Sequence, residues 1–396
     1  MGAPGPFSVA DAKEHARRSV EAARRELVDL SHAIHAHPET NFAEEQAAAR
    51  TAAVLARHGF AVEEGVGGLA TAFRATIGDG PLTVAVCAEY DALPGVGHAC
   101  GHNIIAAAAA GAGIGLAGVA GAAGLTVRVL GTPGEEGGGG KILLLERGAF
   151  DGVHAAMMVH PWPEDRLQAA CLAVSHFDIA FEGRTAHASA APWEGRNAAD
   201  AMVVAQVALG LLRQQLAPGD QVHGIVTSGG EAANIVPGRV TGRFMARART
   251  LDALAALEPR VMACFEAGAT AAGVTVTRTD LAPVYSHMVS DGPLLRAYRR
   301  NAEALGRTFA ADDGGTPPPT LSTDMANVSL VVPTIHPLLG IDAAGAVNHQ
   351  PAFATACTTP SADRAVVDGA LALAWTALDA AGDGELRDHL LGRGAT

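Results

Sequence analysis

Between Val84 and Asn103 the chain reads VAVCAEYDALPGVGHACGHN. Val84 to Ala88 is a short apolar run of buried-strand type. Two acids, Glu89 and Asp91, come directly after it. A Pro/Gly turn then leads to His98, Cys100 and His102. A strand end thus delivers carboxylates, and the next loop delivers imidazoles and a thiolate to the same place. Mixed oxygen, nitrogen and sulfur donors are what a divalent transition metal needs. Similar arrangements recur downstream. Leu125 to Leu130 reads as a strand and runs into GTPGEEGGGGK, which carries Glu135 and Glu136. Val153 to Val159 reads as a strand ending at His160-Pro161-Trp162, and His349 is a distant further donor. One histidine at a strand end is usually structural. A Cys-x-His, a Glu pair and a His-Pro closing successive β units point to a metal site. Near a metal the two glutamates can divide their labour. One binds the ion, and the other takes a proton from water whose pKa the cation has lowered. The blander reading, two solvated acids in a loop, is weakened by the flanking glycines, which let backbone approach an ion.

These donors need a frame. The β–α–β–α–β rhythm puts every candidate ligand at a strand's carboxyl end, where open α/β sheets place their sites. Ahead of it, residues about 9–36 read as an amphipathic helix, followed by a second helix closed by Gly59. His32, His35 and His37 read as a solvated helix end, with His37-Pro38-Glu39 as an alternative pocket floor. From about residue 174 the order becomes β-α-β-β-α-β, the split βαβ sandwich. Residues 175–289 are therefore read as a domain inserted into a discontinuous catalytic domain, 1–174 and 290–396. After it come a helix from Asp291 to Leu305, a TPPPT loop, a strand from Val328 to Val332 and a helix from Ala362 to Ala381. The polar tail beyond Ala381 is expected to fray.

Length and composition agree with two globular domains. The chain has 396 residues, 49% hydrophobic and 17% charged, which excludes disorder. Its net charge of -13 argues against nucleic acid and anionic membranes as partners. Five scattered cysteines are not a disulfide framework and suit a reducing cytoplasm. The uncharged run from Ile104 to Val127 is long enough to suggest a membrane span. It is mostly Ala and Gly, which gain little in lipid, and soluble-site motifs flank it. Gly113-Ile-Gly-Leu-Ala-Gly118 matches a dinucleotide fingerprint but sits inside a helix, so it reads as packing. Gly140-Lys141 fails the P-loop template on both sides.

The stretches AEYDALPGVGHACGHN, GTPGEEGGGGK, VHPWP, TAHASAAPWEGRNAADA and NIVPG closely resemble the M20 metallopeptidases. Within them they look like the amidohydrolase branch, and most like the p-aminobenzoyl-glutamate hydrolase and β-alanyl-lysine dipeptidase subgroup. The resemblance runs from about His35 to Phe353. It implies an α/β zinc-peptidase-like catalytic domain with a mixed sheet flanked by helices. An inserted α+β ferredoxin-like domain would serve dimerisation and act as a lid. It places Cys100, His102, Glu136, His160 and His349 on the ligands of two divalent ions. Glu135 falls on the general base, and Asp91 on the acid that orients a ligand. His187 falls on the histidine that reaches into a partner's site and stabilises the oxyanion. Asn234 and Arg247 fall on residues that hold a substrate carboxylate, and His223 is a weaker pocket candidate. Many members have His-x-Asp where this chain has Glu89-Tyr90-Asp91, so the metal set is expected to be the Cys/His version. Thiolate and imidazole favour Zn²⁺, while carboxylate and water leave room for Mn²⁺ or Co²⁺.

The expected activity is hydrolysis of the amide in an N-acyl- or aminoacyl-amino acid with a free carboxylate, by metal-activated water, in a homodimer. Two rivals stand beside it. One is a thiol hydrolase with Cys100 as nucleophile. The other is a non-catalytic carrier of peptides or acyl-amino acids, which would have no need of Glu135.

Overall fold

The computed structural model describes residues 7–309 and 320–393. Most of the TPPPT loop, 316–319, lies outside them. The described residues fall into two compact units, Met1–Ala170 with Met288–Thr396, and Cys171–His287.

The first unit is built on a six-stranded mixed sheet. Its order in space is Ala61–Glu64, Phe73–Ile77, Leu125–Gly131, Leu82–Ala88, Ala155–Met157, Thr334–Ile335. Phe73–Ile77 pairs antiparallel with both of its neighbours, and the last four strands are mutually parallel. Leu82–Ala88 is buried along its whole length, as a strand covered on both faces must be. Helices cover the sheet. Val9–Ala36 is capped by the Ser8 hydroxyl and turns Ala12, Ala16, Val20, Ala23, Leu27, Leu30 and Ile34 inward at helical spacing. Glu45–Arg57 starts where both Glu39 carboxylate oxygens accept backbone N–H groups, from Gln46 at 3.1 Å and Ala47 at 2.9 Å. Glu39 thus helps cap this helix.

His102–Ala117 is buried on every side, which explains why it is almost all Ala and Gly. A Cβ at Gly113 would lie 2.9 Å from Val129 and 3.1 Å from Leu55 and Phe60, so the G-x-G-x-x-G run is a packing device. The uncharged Ile104–Val127 run is not one helix. It breaks into His102–Ala117, a single turn Ala120–Ala123 and the strand from Leu125. Among the described residues, one helix, Pro360–Gly382, is long and apolar enough to cross a membrane, and most of it is buried in the core.

Three expectations are corrected. Val328–Val332 is not a strand. Val328 and Ser329 end a short helix, Met325–Ser329, and the strand is Thr334–Ile335. Val328 and Val332 are the buried apolar pair, four residues apart as on a helical turn, while Leu330 and Val331 are exposed, and the Thr323 hydroxyl accepts from Met325 N at 3.2 Å to start the turn. The strand expected over Val153–Val159 is shorter, Ala155–Met157, and His160–Trp162 pairs in a separate ladder with Leu338–Gly340. The tail beyond Ala381 forms the helix Gly384–Arg393, which anchors itself by burying Leu386 and Leu390.

The second unit has a four-stranded antiparallel sheet. Its order is Thr275–Asp280, Ala173–Glu182, Arg239–Ala248, Gln221–Ser228. The helices Ala198–Leu212 and Leu251–Ala272 complete the ferredoxin-like βαββαβ order. Each helix starts on a side-chain cap, Asn197 and Thr250 respectively. Its core is a cluster of Phe177, Phe181, Phe244 and Phe265.

Candidate metal centre

The parallel strands end on one rim of the first unit, and the acids and imidazoles leave from there. Glu89 and Asp91 come after Leu82–Ala88. Glu135 and Glu136 sit on the glycine loop after Leu125–Gly131. His160 opens the ladder after Ala155–Met157, and His336 is next to Thr334–Ile335. The glycine loop closes tightly on itself: a Cβ at Gly140 would lie 1.7 Å from the Pro133 carbonyl oxygen. The loop is pinned by the buried Glu44 carboxylate, which accepts from Gly134 N at 2.8 Å, Phe42 N at 2.9 Å and the Thr71 hydroxyl at 2.9 Å.

Cys100, His102, Glu136, His160 and His349 come together. Ligand atoms of Cys100, His102 and His160 lie within 4.8 Å of one another, as do those of Cys100, Glu136 and His349, and those of His102, Glu135 and Glu136. Cys100 Sγ is 3.4 Å from His160 Nε2 and 3.6 Å from His349 Nε2. Two ligands bonded to one tetrahedral ion at metal–N and metal–S lengths stand about 3.6 Å apart, so these spacings suit a shared cation.

The tautomers agree. His102 Nδ1 donates to Asp91 Oδ1 at 3.0 Å, and His160 Nδ1 donates to the Pro161 carbonyl at 2.9 Å. Each Nε2 is thereby turned toward the cluster, the atom a metal-bound histidine would offer. Asp91 Oδ2 also accepts from Glu136 N at 2.9 Å, so one carboxylate fixes a ring and an acid together. His102 Nε2 and Glu136 Oε1 are buried without a hydrogen-bond partner. Such orphans are costly unless something electrophilic binds them. The residues present therefore fit a pair of divalent cations. His349 is held in the left-handed region, φ +70°, with its N–H donating to Ala99 O at 2.8 Å. Strained backbone of this kind recurs at ligand clamps.

Burial raises the Cys100 thiol pKa well above its ordinary value, and Glu136 beside it adds to the effect. Burial opposes charge on His102, yet the Asp91 carboxylate outweighs it and lifts that pKa well above the usual histidine range. Glu135 is raised by burial and then by Glu89, Glu136 and Asp324. His160 is held low by burial and by the neighbouring His336 and His102.

Four residues here escape simple motif reading: Glu44, Lys141, Asp324 and His336. The Lys141 ammonium is fully buried between Glu89 Oε1 at 2.5 Å and Asp324 Oδ1 at 2.7 Å. His336 lies against His160 with ring centroids 5.3 Å apart. His336-Pro337 repeats the His-Pro pattern of His160-Pro161, and that repeat is the sign that could have exposed it.

His187, Asn234, Arg247 and His223 belong to the second unit. His187 is exposed, and its Nδ1 accepts from Ser189 N at 3.3 Å and Ala190 N at 3.1 Å, which leaves Nε2 directed outward. Asn234 is exposed next to it in the backbone pairing, its carbonyl accepting from Ala188 N at 2.9 Å. Arg247 Nε donates to His223 Nε2 across neighbouring strands at 3.1 Å. With Arg247 and His223 nearby, burial pushes the His176 pKa down to about 4.

The chain belongs to peptidase family M20/M25/M40, whose model matches residues 85–365. It is a hydrolase of the metallopeptidase kind. It is 38% identical to the Xaa-Arg dipeptidase of Mus musculus over 395 residues, 95% of this chain and 91% of that protein. It is 40% identical to the Xaa-Arg dipeptidase of Homo sapiens over 306 residues, 76% of this chain and 70% of that protein. Its fold matches a dinuclear metal-binding M20 peptidase of Bacillus subtilis with a TM-score of 0.68 at 21% identity, covering 90% of this chain and 98% of that one.

Gly101 provides a local test. It sits between Cys100 and His102 at φ +77°, and a Cβ there would lie 2.8 Å from Pro161 Cγ. Gly97 has a similar φ, +81°, with nothing within 4 Å of its Cβ position. Gly101→Ala and Gly97→Ala share the backbone penalty, about 1–2 kcal/mol. Gly101→Ala alone pushes Pro161 and with it His160. Urea denaturation should show both variants destabilised, and a competitive chelator titration should show weakened divalent-metal affinity for Gly101→Ala only.

Proposed function

We propose that this chain is a metal-dependent amidohydrolase of dipeptidase type, acting on an aminoacyl- or acyl-amino acid with a free carboxylate. The observation that carries the reading is Glu135, an acid beside the Cys100, His102, Glu136, His160 and His349 donors, in a chain of family M20. Those five residues would hold two divalent ions, with Zn²⁺, Mn²⁺ or Co²⁺ compatible with the donor types. Bound there, the ions would polarise the substrate carbonyl and acidify water. Glu135 takes a proton from the attacking water and hands it to the leaving amine. Asp91 keeps His102 in the tautomer that serves this arrangement.

Similarity to two Xaa-Arg dipeptidases favours dipeptides, and those with a basic C-terminal residue are the first to assay. Arg247, with His223 and Asn234, is assigned to the substrate carboxylate, a task its planar fork suits. His187 is assigned to the oxyanion and acts from the partner protomer of a homodimer. Pairing of two copies through the second unit is supported by its edge strand, Gln221–Ser228, with Ile225 65% exposed, and by Leu211 at 68% on a helix. The five cysteines are free and buried, in keeping with a cytoplasmic setting.

The thiol-hydrolase reading fares worse. A nucleophilic cysteine needs a lowered pKa, whereas burial and Glu136 raise that of Cys100. The carrier reading leaves Glu135 without a purpose.

Glu135→Gln keeps the shape and removes the base. Steady-state hydrolysis of a dipeptide should fall by about 10²-fold or more with metal binding retained; activity near wild type would remove Glu135 from the role. A thiol enzyme would keep its activity through chelation and lose it to alkylation. Mixing His187→Ala with Glu135→Ala subunits should restore part of the activity through heterodimers. No rescue after verified subunit exchange would contradict a site shared between protomers.

A further inference from the structure

Glu89 directly follows the buried strand Leu82–Ala88, and its two oxygens have different surroundings. Oε1 is 2.5 Å from the Lys141 ammonium. Oε2 faces His102 Nε2 at 3.5 Å. Glu89 and His102 are both fully buried, and neither of these facing atoms has a hydrogen-bond partner. His102 commits Nδ1 to Asp91, so Nε2 is the atom it can offer a cation, and Nε2 is the atom that faces Glu89. A carboxylate oxygen and an imidazole nitrogen, both buried without a hydrogen bond and 3.5 Å apart, are placed to share one cation. The spacing itself fits that arrangement. Oxygen and nitrogen ligands of one ion, each about 2.1 Å from it and at a tetrahedral angle, stand about 3.4 Å apart.

Lys141 explains how Glu89 is kept in this pose. Its ammonium touches Glu89 on one side and Asp324 Oδ1 at 2.7 Å on the other. Asp324 Oδ2 accepts from Lys141 N at 2.8 Å, so one carboxylate grips both the backbone and the side chain of the lysine. Glu89, Glu135 and Asp324 present oxygens within 4.8 Å of one another. By geometry that trio is a cation site in its own right, and the cation it holds is the chain's own ammonium. A buried lysine is costly unless every face of its charge is met, and here Asp324 and Glu89 meet it.

We propose that Glu89 supplies a further oxygen ligand to the divalent cation bound at His102, and that Lys141, clamped by Asp324, is the positioning residue that turns Glu89 toward it. The inference rests on reading the cluster as a metal centre and adds to that reading a ligand outside the Cys/His set. It assigns the Glu-x-Asp form and Lys141 to a single device. The acid at position 89 has one oxygen for the metal because the other is taken by the lysine.

The test uses metal-free full-length protein titrated with Co²⁺, whose visible absorption reports coordination number and ligand type. Glu89→Gln retains the volume and loses the anionic donor. Lys141→Met retains the chain length and loses the charge that orients Glu89. Both should weaken one class of Co²⁺ site by about 10-fold or more and change its visible spectrum, while the second class titrates as in wild type. Lys141→Arg, which keeps the charge, should fall between Lys141→Met and wild type. Spectra and affinities equal to wild type in Glu89→Gln would overturn the assignment, since a lysine acting only in folding would not tune the metal. If Lys141→Met does not fold, Glu89→Gln decides the question by itself. Failure of wild type to bind Co²⁺ at all would instead remove the metal centre, and this inference with it.

Discussion

Like charge gathered at the carboxyl ends of parallel strands is the constraint the first unit is built to meet. Glu89, Asp91, Glu135, Glu136 and Asp324 converge there with the Cys100 thiol, and the ammonium among them is that of Lys141. Carboxylates this close cannot all ionise in a low-dielectric interior without cations. Two divalent ions and one lysine would balance five carboxylates. Burial first, and neighbouring carboxylates after it, push up the pKa values of Glu135, Glu136 and Cys100. The surrounding fold is a device for holding acids together. The buried strand Leu82–Ala88, the all-small helix His102–Ala117 and the Glu44 anchor on the glycine loop each remove freedom that the acids would use to separate.

Hydrogen bonds decide which atoms face inward. Asp91 takes the Nδ1 proton of His102 and the N–H of Glu136, and Pro161 takes the Nδ1 proton of His160. Rings fixed from behind can present only Nε2, so the ligand geometry is settled before any ion arrives. That preorganisation lowers the conformational cost of binding. It also explains Gly101, which stands between two donors in a conformation other residues adopt at a cost and leaves room for Pro161.

Much of this is legible in the chain. The donors at successive strand ends announce a metal site, because alternating apolar runs and acid- or histidine-bearing turns can be read without tertiary knowledge. The ferredoxin-like order of the second unit emerges from strand and helix periodicity. The features that escape do so for physical reasons. Val328–Val332 is rich in valine, yet of its apolar residues only Val328 and Val332 are buried, and their spacing of four suits a helical turn as well as the run suits a strand. Glu44 and Asp324 look like ordinary helix-flanking acids, and their role appears only when the chain brings Gly134 and Lys141 to them. Lys141 reads only as part of a failed phosphate motif, since sequence cannot show that an ammonium will be buried between two acids. His336-Pro337 repeats a visible pattern and is the one site neighbour that the sequence offers openly.

The most direct measurement is the metal content of the purified protein after dialysis against divalent ions, by elemental analysis, with wild type compared with a Cys100→Ser/His102→Ala variant. The account predicts two divalent ions per wild-type chain and loss of at least one in the variant. Equal metal content in the two proteins, or none in either, would contradict it.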